Sequence, residues 1–433
     1  MSETTQMLVV GGVFLVLLVG GMWIPFAIAV TAALYIFMAS GWAGFDGLGL
    51  VSWGSTYSFS LTAIPLFILM AEFMLESGLS QRVYRGMSQV VRFLPGGLLQ
   101  TNVAGCAAFS AISGSSVATA AAIGSIALPQ LQQRGYCSRI AAGSIVAGGT
   151  LGILIPPSIA MIIYGTFTDT SISKLFMAGL VPGLVLCGLF AVYVAVRCLL
   201  NPSLSPRQHD SIEAVGSPRQ LAGDLLPFTL LILLVMGSLY FGFTTPTEAA
   251  GVGALLAFLI GRIWGDLGWA AFRRALGKTV QVSGTILFIV YAAYLFSYAI
   301  GMVGVTDELA GLLESWNLSS GELILIIILF YTLLGMLMDS IGMMVITVPL
   351  LYPILLDYGI DPIWFGVLLV VLIELGQITP PAGLNLFVVK SISRIGLGDI
   401  IKGSLPFCML LYVLIALLYY FPGLALWMPG GMH

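Results

Sequence analysis

Charge is what this 433-residue chain has least of: Asp, Glu, Lys and Arg together make up 8% of it, against about 25% in a soluble domain. That excludes an ordinary water-soluble fold. No block of basic residues occurs, which argues against a nucleic-acid partner, and the net charge of -3 is spread thinly. Histidine is nearly missing. His209 lies in a polar stretch and His433 at the terminus, so a histidine-based metal centre or catalytic triad is not expected. Cysteine numbers five, an odd count, with no CxxC spacing. Cys106, Cys137, Cys187, Cys198 and Cys408 read as small core residues, not as a disulfide framework or a zinc site. The first six residues contain Glu3 and no Lys or Arg. They lack the basic start of a cleavable signal peptide, so the first apolar run is expected to be retained.

What the chain does have is apolar sequence. Hydrophobic residues make up 59% and the mean hydropathy is +1.06. Apolar runs of about 20 residues, long enough to span a bilayer, recur from end to end. The expected class is an all-α polytopic membrane protein. Spans are predicted at 6–22, 25–41, 57–76, 140–167 and 176–200, then at 223–241, 247–261, 279–300, 363–389 and 403–427. Two further apolar stretches, 93–131 and 322–356, are too long for one span and too interrupted for two. Each is predicted to form a re-entrant helical hairpin, with non-helical backbone at its tip shielded by protein or lining a polar cavity. Residues 201–222 hold three prolines and no apolar run, as expected of a surface linker.

Four prolines recur at a constant offset. Pro129, Pro156, Pro157 and Pro182 fall 224 residues before Pro353, Pro380, Pro381 and Pro406. Gly135, Gly152 and Gly179 answer Gly359, Gly376 and Gly403 at the same offset. The chain is therefore read as a duplication: a first repeat over 1–200 (scaffold 1–92, hairpin 93–131, broken helix 140–167) and a second over 223–433 (scaffold 223–300, hairpin 322–356, broken helix 363–389, final helix 403–427). Loop charge predicts the sidedness. Loop 77–92 carries Arg82, Arg85 and Arg92, and loop 262–278 carries Arg262, Arg273, Arg274 and Lys278; with the linker, these are expected in the cytoplasm. Their counterparts 301–321 and 42–56 carry no Lys or Arg and are expected outside. Equivalent loops on opposite faces make the repeats inverted, and interrupted helices at matching positions of inverted repeats point to a transporter's binding site.

Three constellations carry the candidate chemistry. Ser113, Ser115, Ser116 and Thr119 cluster around Gly114 at the predicted tip of the first hairpin. Their oxygens suit a hard cation, or their small size suits close helix packing. Around Pro156-Pro157 and Pro380-Pro381, two adjacent prolines remove two backbone donors and keep the preceding residue out of the helix. The carbonyls so released need partners in lipid; a bound cation would supply one, and a simple mechanical kink is the alternative. Asp339, in a long apolar stretch, answers Ser115, and Ser340 answers Ser116. A carboxylate there is functional by default, as a cation ligand or as the N-cap of a hairpin helix. Glu374, also deep in an apolar run, has a functional reading and a buried structural one, and Glu72 and Glu248 near span ends are expected in interfacial or packing roles. Leu276-Gly277-Lys278-Thr279 lacks the first glycine of a phosphate loop. No Arg or Lys lies deep in an apolar run, and Lys390 is expected to turn outward. An anionic substrate would then be held by helix N-termini, hydroxyls and bound cations.

The stretches ISGSSVATAAAIGSIALPQL (112–131), GGTLGILIPPSIAMIIYG (148–165), TPTEAAGVGALLAF (245–258), GMLMDSIGMMVITVPLLYPI (335–354) and ELGQITPPAGLNLFV (374–388) resemble the large membrane subunit of tripartite ATP-independent periplasmic (TRAP) transporters, within the ion-transporter superfamily. The resemblance covers nearly the whole chain. It implies an inverted-repeat elevator in which a transport domain, built from both hairpins and both broken helices, carries sodium and substrate past a fixed scaffold. It implies two partners, a small four-helix membrane subunit, expected here as a separate chain, and a periplasmic substrate-binding protein, and it places the assembly in a bacterial inner membrane. By the same resemblance, one sodium region comprises Ser113, Ser115 and Ser116 with carbonyls around Gly152, Ile155 and Pro157. The other comprises Asp339 and Ser340 with Gly376, Thr379 and Ala382. The substrate, a small organic anion, is expected near Thr119, Ser158 and Asn385. No cofactor beyond sodium and no enzymatic chemistry are implied. A stand-alone sodium- or proton-coupled anion symporter of related fold is the alternative.

Overall fold

The computed structural model describes residues 3–206, 217–381 and 383–432, and among these every regular element is helical, with no strand. Nine helices are long and apolar enough to cross a membrane among the described residues, which matches the all-α polytopic expectation.

The 224-residue offset reappears in the helix boundaries. Ser116–Gln133 maps residue for residue onto Ser340–Asp357, and Ser138–Leu154 onto Pro362–Ile378. Ile159–Thr168 matches Leu384–Ile392, and Ile172–Leu200 matches Leu397–Tyr420, to within a turn at each N-terminus. Near the start of each repeat, Ile24–Ser40 answers Pro246–Ile263, and Ala63–Glu76 answers part of Trp269–Val303.

The copies pack by exchange. Ser116–Gln133 contacts Leu384–Ile392, while its counterpart Ser340–Asp357 contacts Ile159–Thr168. Ser138–Leu154 packs on Leu397–Tyr420, and Pro362–Ile378 on Ile172–Leu200. The outer helices do the same: Ile24–Ser40 lies on Trp269–Val303, and Ala63–Glu76 on Pro246–Ile263. Each of these contacts thus occurs twice, the second time with the copies swapped.

In a chain that is apolar almost throughout, amphipathicity does not say which helix is central; burial by protein does. The 18-residue core of the first broken helix is buried all along, whereas less than a third of the corresponding stretch of Pro218–Tyr240 is buried. Every residue from Trp364 to Ile378 in the second broken helix is buried as well. The two broken helices thus form the axis of the molecule, touching each other and wrapped by both hairpins.

Several segments expected as loops are helical. Leu79–Val90 spans most of 77–92; it buries Leu79, Val83 and Gly86 at helical spacing and leaves Arg85 on the other face. Val305–Ser315 occupies the acidic loop, with Asp307 and Glu308 in its first turn where the helix dipole favours them. Trp269–Val303 starts ten residues before the expected span. Its basic first turns are neutralised from Ala63–Glu76, where Glu76 accepts from Arg274 and Lys278 at 2.8 and 2.7 Å and Glu72 lies 3.9 Å from Lys278. Pro218–Tyr240 begins inside the expected linker, with Ser217 as N-cap and Pro218 at the first helical position. The expected final helix divides at Phe421-Pro422 into Leu397–Tyr420 and Gly423–Gly430. In the first four cases charge or proline marked a loop in the sequence where the chain is helical; in the last, Pro422 divides what reads as one helix.

Candidate functional site

Each double proline breaks its helix in the same way. The residues before them, Ile155 (φ -80°, ψ 120°) and Thr379 (φ -86°, ψ 128°), are extended, as proline's bulk requires of its predecessor. Both Pro-Pro peptides are cis. With no N–H at 156, 157, 380 or 381, the carbonyls of Gly152, Ile153, Gly376 and Gln377 lose their usual helical donors four residues on. The carbonyl of Gly376 accepts instead from Thr379 N at 3.2 Å. After the first break, Ser158 restarts the helix by accepting from Met161 N at 3.3 Å.

The first hairpin brings its tip to the first break. Gly114 turns the chain with φ +60°, and a Cβ there would meet the Pro157 carbonyl oxygen at 2.9 Å; glycine serves both the left-handed backbone and the close approach. The Gly114 carbonyl accepts from Ile159 N at 3.4 Å. Ser113 Oγ and Thr119 Oγ1 share a hydrogen bond of 2.6 Å across the tip, and Ser113 Oγ donates to the Ser115 carbonyl at 3.3 Å. Gly152 lies against that carbonyl and against Thr119 Oγ1. Ser113, Ser115, Thr119, Gly152 and Pro157 are thus assembled at one point, and Ile155 stands at the C-cap of the same break.

The second region is looser. Asp339 caps Ser340–Asp357, its Oδ2 accepting from Ile341 N at 3.2 Å and Gly342 N at 3.4 Å. Its repeat counterpart Ser115 caps the matching helix through Ala118 N at 3.3 Å, so the offset pairs one N-cap with another. Asp339 Oδ1 is buried and unpartnered. Ser340 opens the capped helix. Gly376 presses on the backbone of Gly335 in the first arm, leaving no room for a side chain on either. Thr379 Oγ1 donates to the Leu375 carbonyl at 2.6 Å. Among the described residues no hydrogen bond joins Asp339 or Ser340 to Gly376 or Thr379. Ala382 lies outside the described residues.

A third cluster joins the copies. Ser116 Oγ donates to Glu374 Oε2 at 2.9 Å and accepts from Asn385 Nδ2 at 2.6 Å. All three are buried, as is Gln377, one turn beyond Glu374. Ser116 therefore turns away from its neighbours at the hairpin tip toward the second broken helix, and Asn385 joins it there. Of the residues placed near a substrate by the sequence, Asn385 sits in this cluster and Thr119 at the first tip, while Ser158 serves its own helix. Gln377 went unnoticed in the sequence; its spacing of three from Glu374, facing a proline break, was the available signal. Glu248 completes a capping box with Thr245, and Lys390 donates to the Ile395 carbonyl at 3.0 Å. The described residues contain no group of three or more His, Cys, Asp or Glu able to hold a metal.

The family model described as tripartite ATP-independent periplasmic transporter, DctM component, matches residues 11–424. The chain is 36% identical over 378 residues to the C4-dicarboxylate TRAP transporter large permease protein DctM of Pseudomonas aeruginosa, covering 86% of this chain and 87% of that one. It is 29% identical over 427 residues to the sialic acid TRAP transporter large permease protein SiaM of Vibrio cholerae, covering 97% and 98%. In fold it resembles the crystal structure of the Alcanivorax borkumensis YdaH transporter, with a TM-score of 0.68 at 16% identity over 97% of this chain and 99% of that one.

Proposed function

Since this chain belongs to the DctM-component family of tripartite ATP-independent periplasmic transporters, we propose that it is the large permease of a sodium-driven symporter importing a small organic anion. It works in a bacterial inner membrane with a small four-helix membrane subunit and a periplasmic binding protein that delivers the solute. The carboxylic acids in the names of its relatives, C4-dicarboxylates and sialic acid, support the substrate class. It is a multi-pass transport protein and not an enzyme.

The observation that carries the sodium reading is the meeting of the first hairpin tip with the first proline break. There the Ser113 hydroxyl, the Ser115 carbonyl and the backbone of Gly152 meet at one buried point. Hard cations take oxygen ligands of this kind. We assign the first sodium region to Ser113, Ser115, Gly152, Ile155 and Pro157, leaving out the expected Ser116 because its hydroxyl is taken up by Glu374 and Asn385, and the second to Asp339, Ser340, Gly376, Thr379 and Ala382. Thr119, Ser158 and Asn385 face the substrate. The exchanged contacts between copies and the opposed loop charges support an inverted repeat. The two hairpins and broken helices then move as one body past the outer helices, in an elevator cycle. Ion binding at the breaks orders the cavity, so substrate binds well only with sodium present, and each charge moved draws about 2.3 kcal/mol per 100 mV of membrane potential.

The test is reconstitution in liposomes with both partners. Uptake is expected to follow an inward sodium gradient and to require the binding protein. Uptake driven by a proton gradient and indifferent to sodium overturns the coupling. Uptake without any binding protein overturns the tripartite reading in favour of a stand-alone symporter.

A further inference from the structure

The cluster around Glu374 leaves more buried polar atoms unpaired than any other place among the described residues. Glu374 Oε1, Asn385 Oδ1 and both polar atoms of Gln377 have no hydrogen-bond partner. The three side chains are between 0% and 1% exposed. An orphaned buried polar group is costly, and a charged one more so. No Lys, Arg or His forms an ion pair with Glu374 among the described residues; its one hydrogen bond comes from the Ser116 hydroxyl. That hydroxyl is oriented in turn by the Asn385 amide, which directs the amide oxygen Oδ1 away from Ser116. Gly149 lies beside Asn385 and Ser116, and a Cβ on it would come within 3.2 Å of Asn385 Nδ2 and of the Ser116 carbonyl oxygen. The first broken helix therefore closes the cluster with bare backbone.

The repeat supplies an internal control. At the offset of 224, Glu374 answers Thr150, Gln377 answers Ile153, and Asn385 answers Met161. Thr150 is satisfied by the Ala147 carbonyl of its own helix at 2.6 Å, and the other two counterparts are apolar. The same helix, broken at the same place and just as buried, folds without the cluster. Packing alone does not call for it.

We propose that Glu374, Gln377 and Asn385 contribute their free oxygens to a cation site of their own, separate from the two sodium regions, with Ser116 as its orienting residue. One carboxylate oxygen and two amide oxygens suit a small hard cation. The ion would neutralise the buried carboxylate and bring positive charge to Asn385, which no Lys or Arg hydrogen-bonds among the described residues. The site rests on the sodium-coupled reading above for its ion.

The experiment counts radiosodium bound at saturation to the purified full-length chain in detergent, by scintillation proximity. Glu374→Gln, which keeps shape and removes charge, is expected to bind one ion fewer per chain than the wild type. Gln377→Leu is expected to weaken one binding step about tenfold or more, the scale of losing one oxygen ligand in a low-dielectric site. Thr150→Ala, at the equivalent place in the other copy, is expected to bind as the wild type does. If Glu374→Gln binds as many ions as the wild type with the same affinity, the site is overturned and the sodium reading stands. If the wild type binds no sodium, both are overturned. Should Glu374→Gln not yield a monodisperse protein, Gln377→Leu decides by the same criterion.

Discussion

The contact between Gly335 and Gly376 makes the sharpest prediction about how the second hairpin seats on its broken helix. A Cβ on Gly376 would lie 2.5 Å from Gly335 Cα and 3.1 Å from its carbonyl carbon, about 1 Å short of ordinary carbon–carbon contact. Both atoms are backbone, so no side-chain rotation relieves the overlap and the arm itself must move. Over-packing of this kind costs about 1–3 kcal/mol, and the helix propensity gained on replacing glycine by alanine returns at most about 1 kcal/mol. Gly376→Ala is therefore expected to lose about 1–2 kcal/mol and to impair uptake, because the hairpin is held off the break. Gly152→Ala, its repeat counterpart, meets the Ser115 carbonyl oxygen at 2.5 Å and is expected to behave alike. Gly284→Ala is the control: nothing lies within 4 Å of a Cβ there, and it sits inside Trp269–Val303, so stability should hold or rise. Denaturant titration of the purified proteins in one detergent reads all three. A Gly376→Ala protein as stable and as active as the wild type would refute the close backbone contact.

Other substitutions test the surrounding frame. Arg85 grips Asp224 with two hydrogen bonds of 2.8 and 2.5 Å, tying Leu79–Val90 to Pro218–Tyr240; Asp224 is almost fully buried, Arg85 half-exposed. Arg85→Ala strands that carboxylate and should cost about 1–3 kcal/mol, between the surface and buried limits for ion pairs; adding Asp224→Asn should recover part of it in a double-mutant cycle. Asp339→Ala removes an N-cap and should cost about 1 kcal/mol. Asp339→Ser, borrowing the residue that caps the matching helix in the first copy, should restore thermal stability; equal melting of the alanine and serine variants would count against the capping role.

The chain's own order of residues determined a good deal. Scarce charge and recurring apolar runs require a bilayer, and proline's missing N–H breaks a helix wherever the chain places a pair of them. The offset of 224 was written in the prolines, and the helix boundaries follow it because the same local chemistry acts twice. Loops were the weak point. Leu79–Val90 and Val305–Ser315 carry enough charge to look like turns, and their apolar faces acquire meaning only against a partner. Centrality was likewise illegible, since helices that face lipid and helices that face protein are equally apolar. Tertiary structure alone decided that Ser116, one residue past the cap at a hairpin tip, meets Glu374 across a separation of 258 residues. It also decided which buried oxygens are left over. A sequence shows that a carboxylate lies in an apolar run; which hydroxyl reaches it, and which of its oxygens finds no donor, depends on how the two copies exchange partners when they pack.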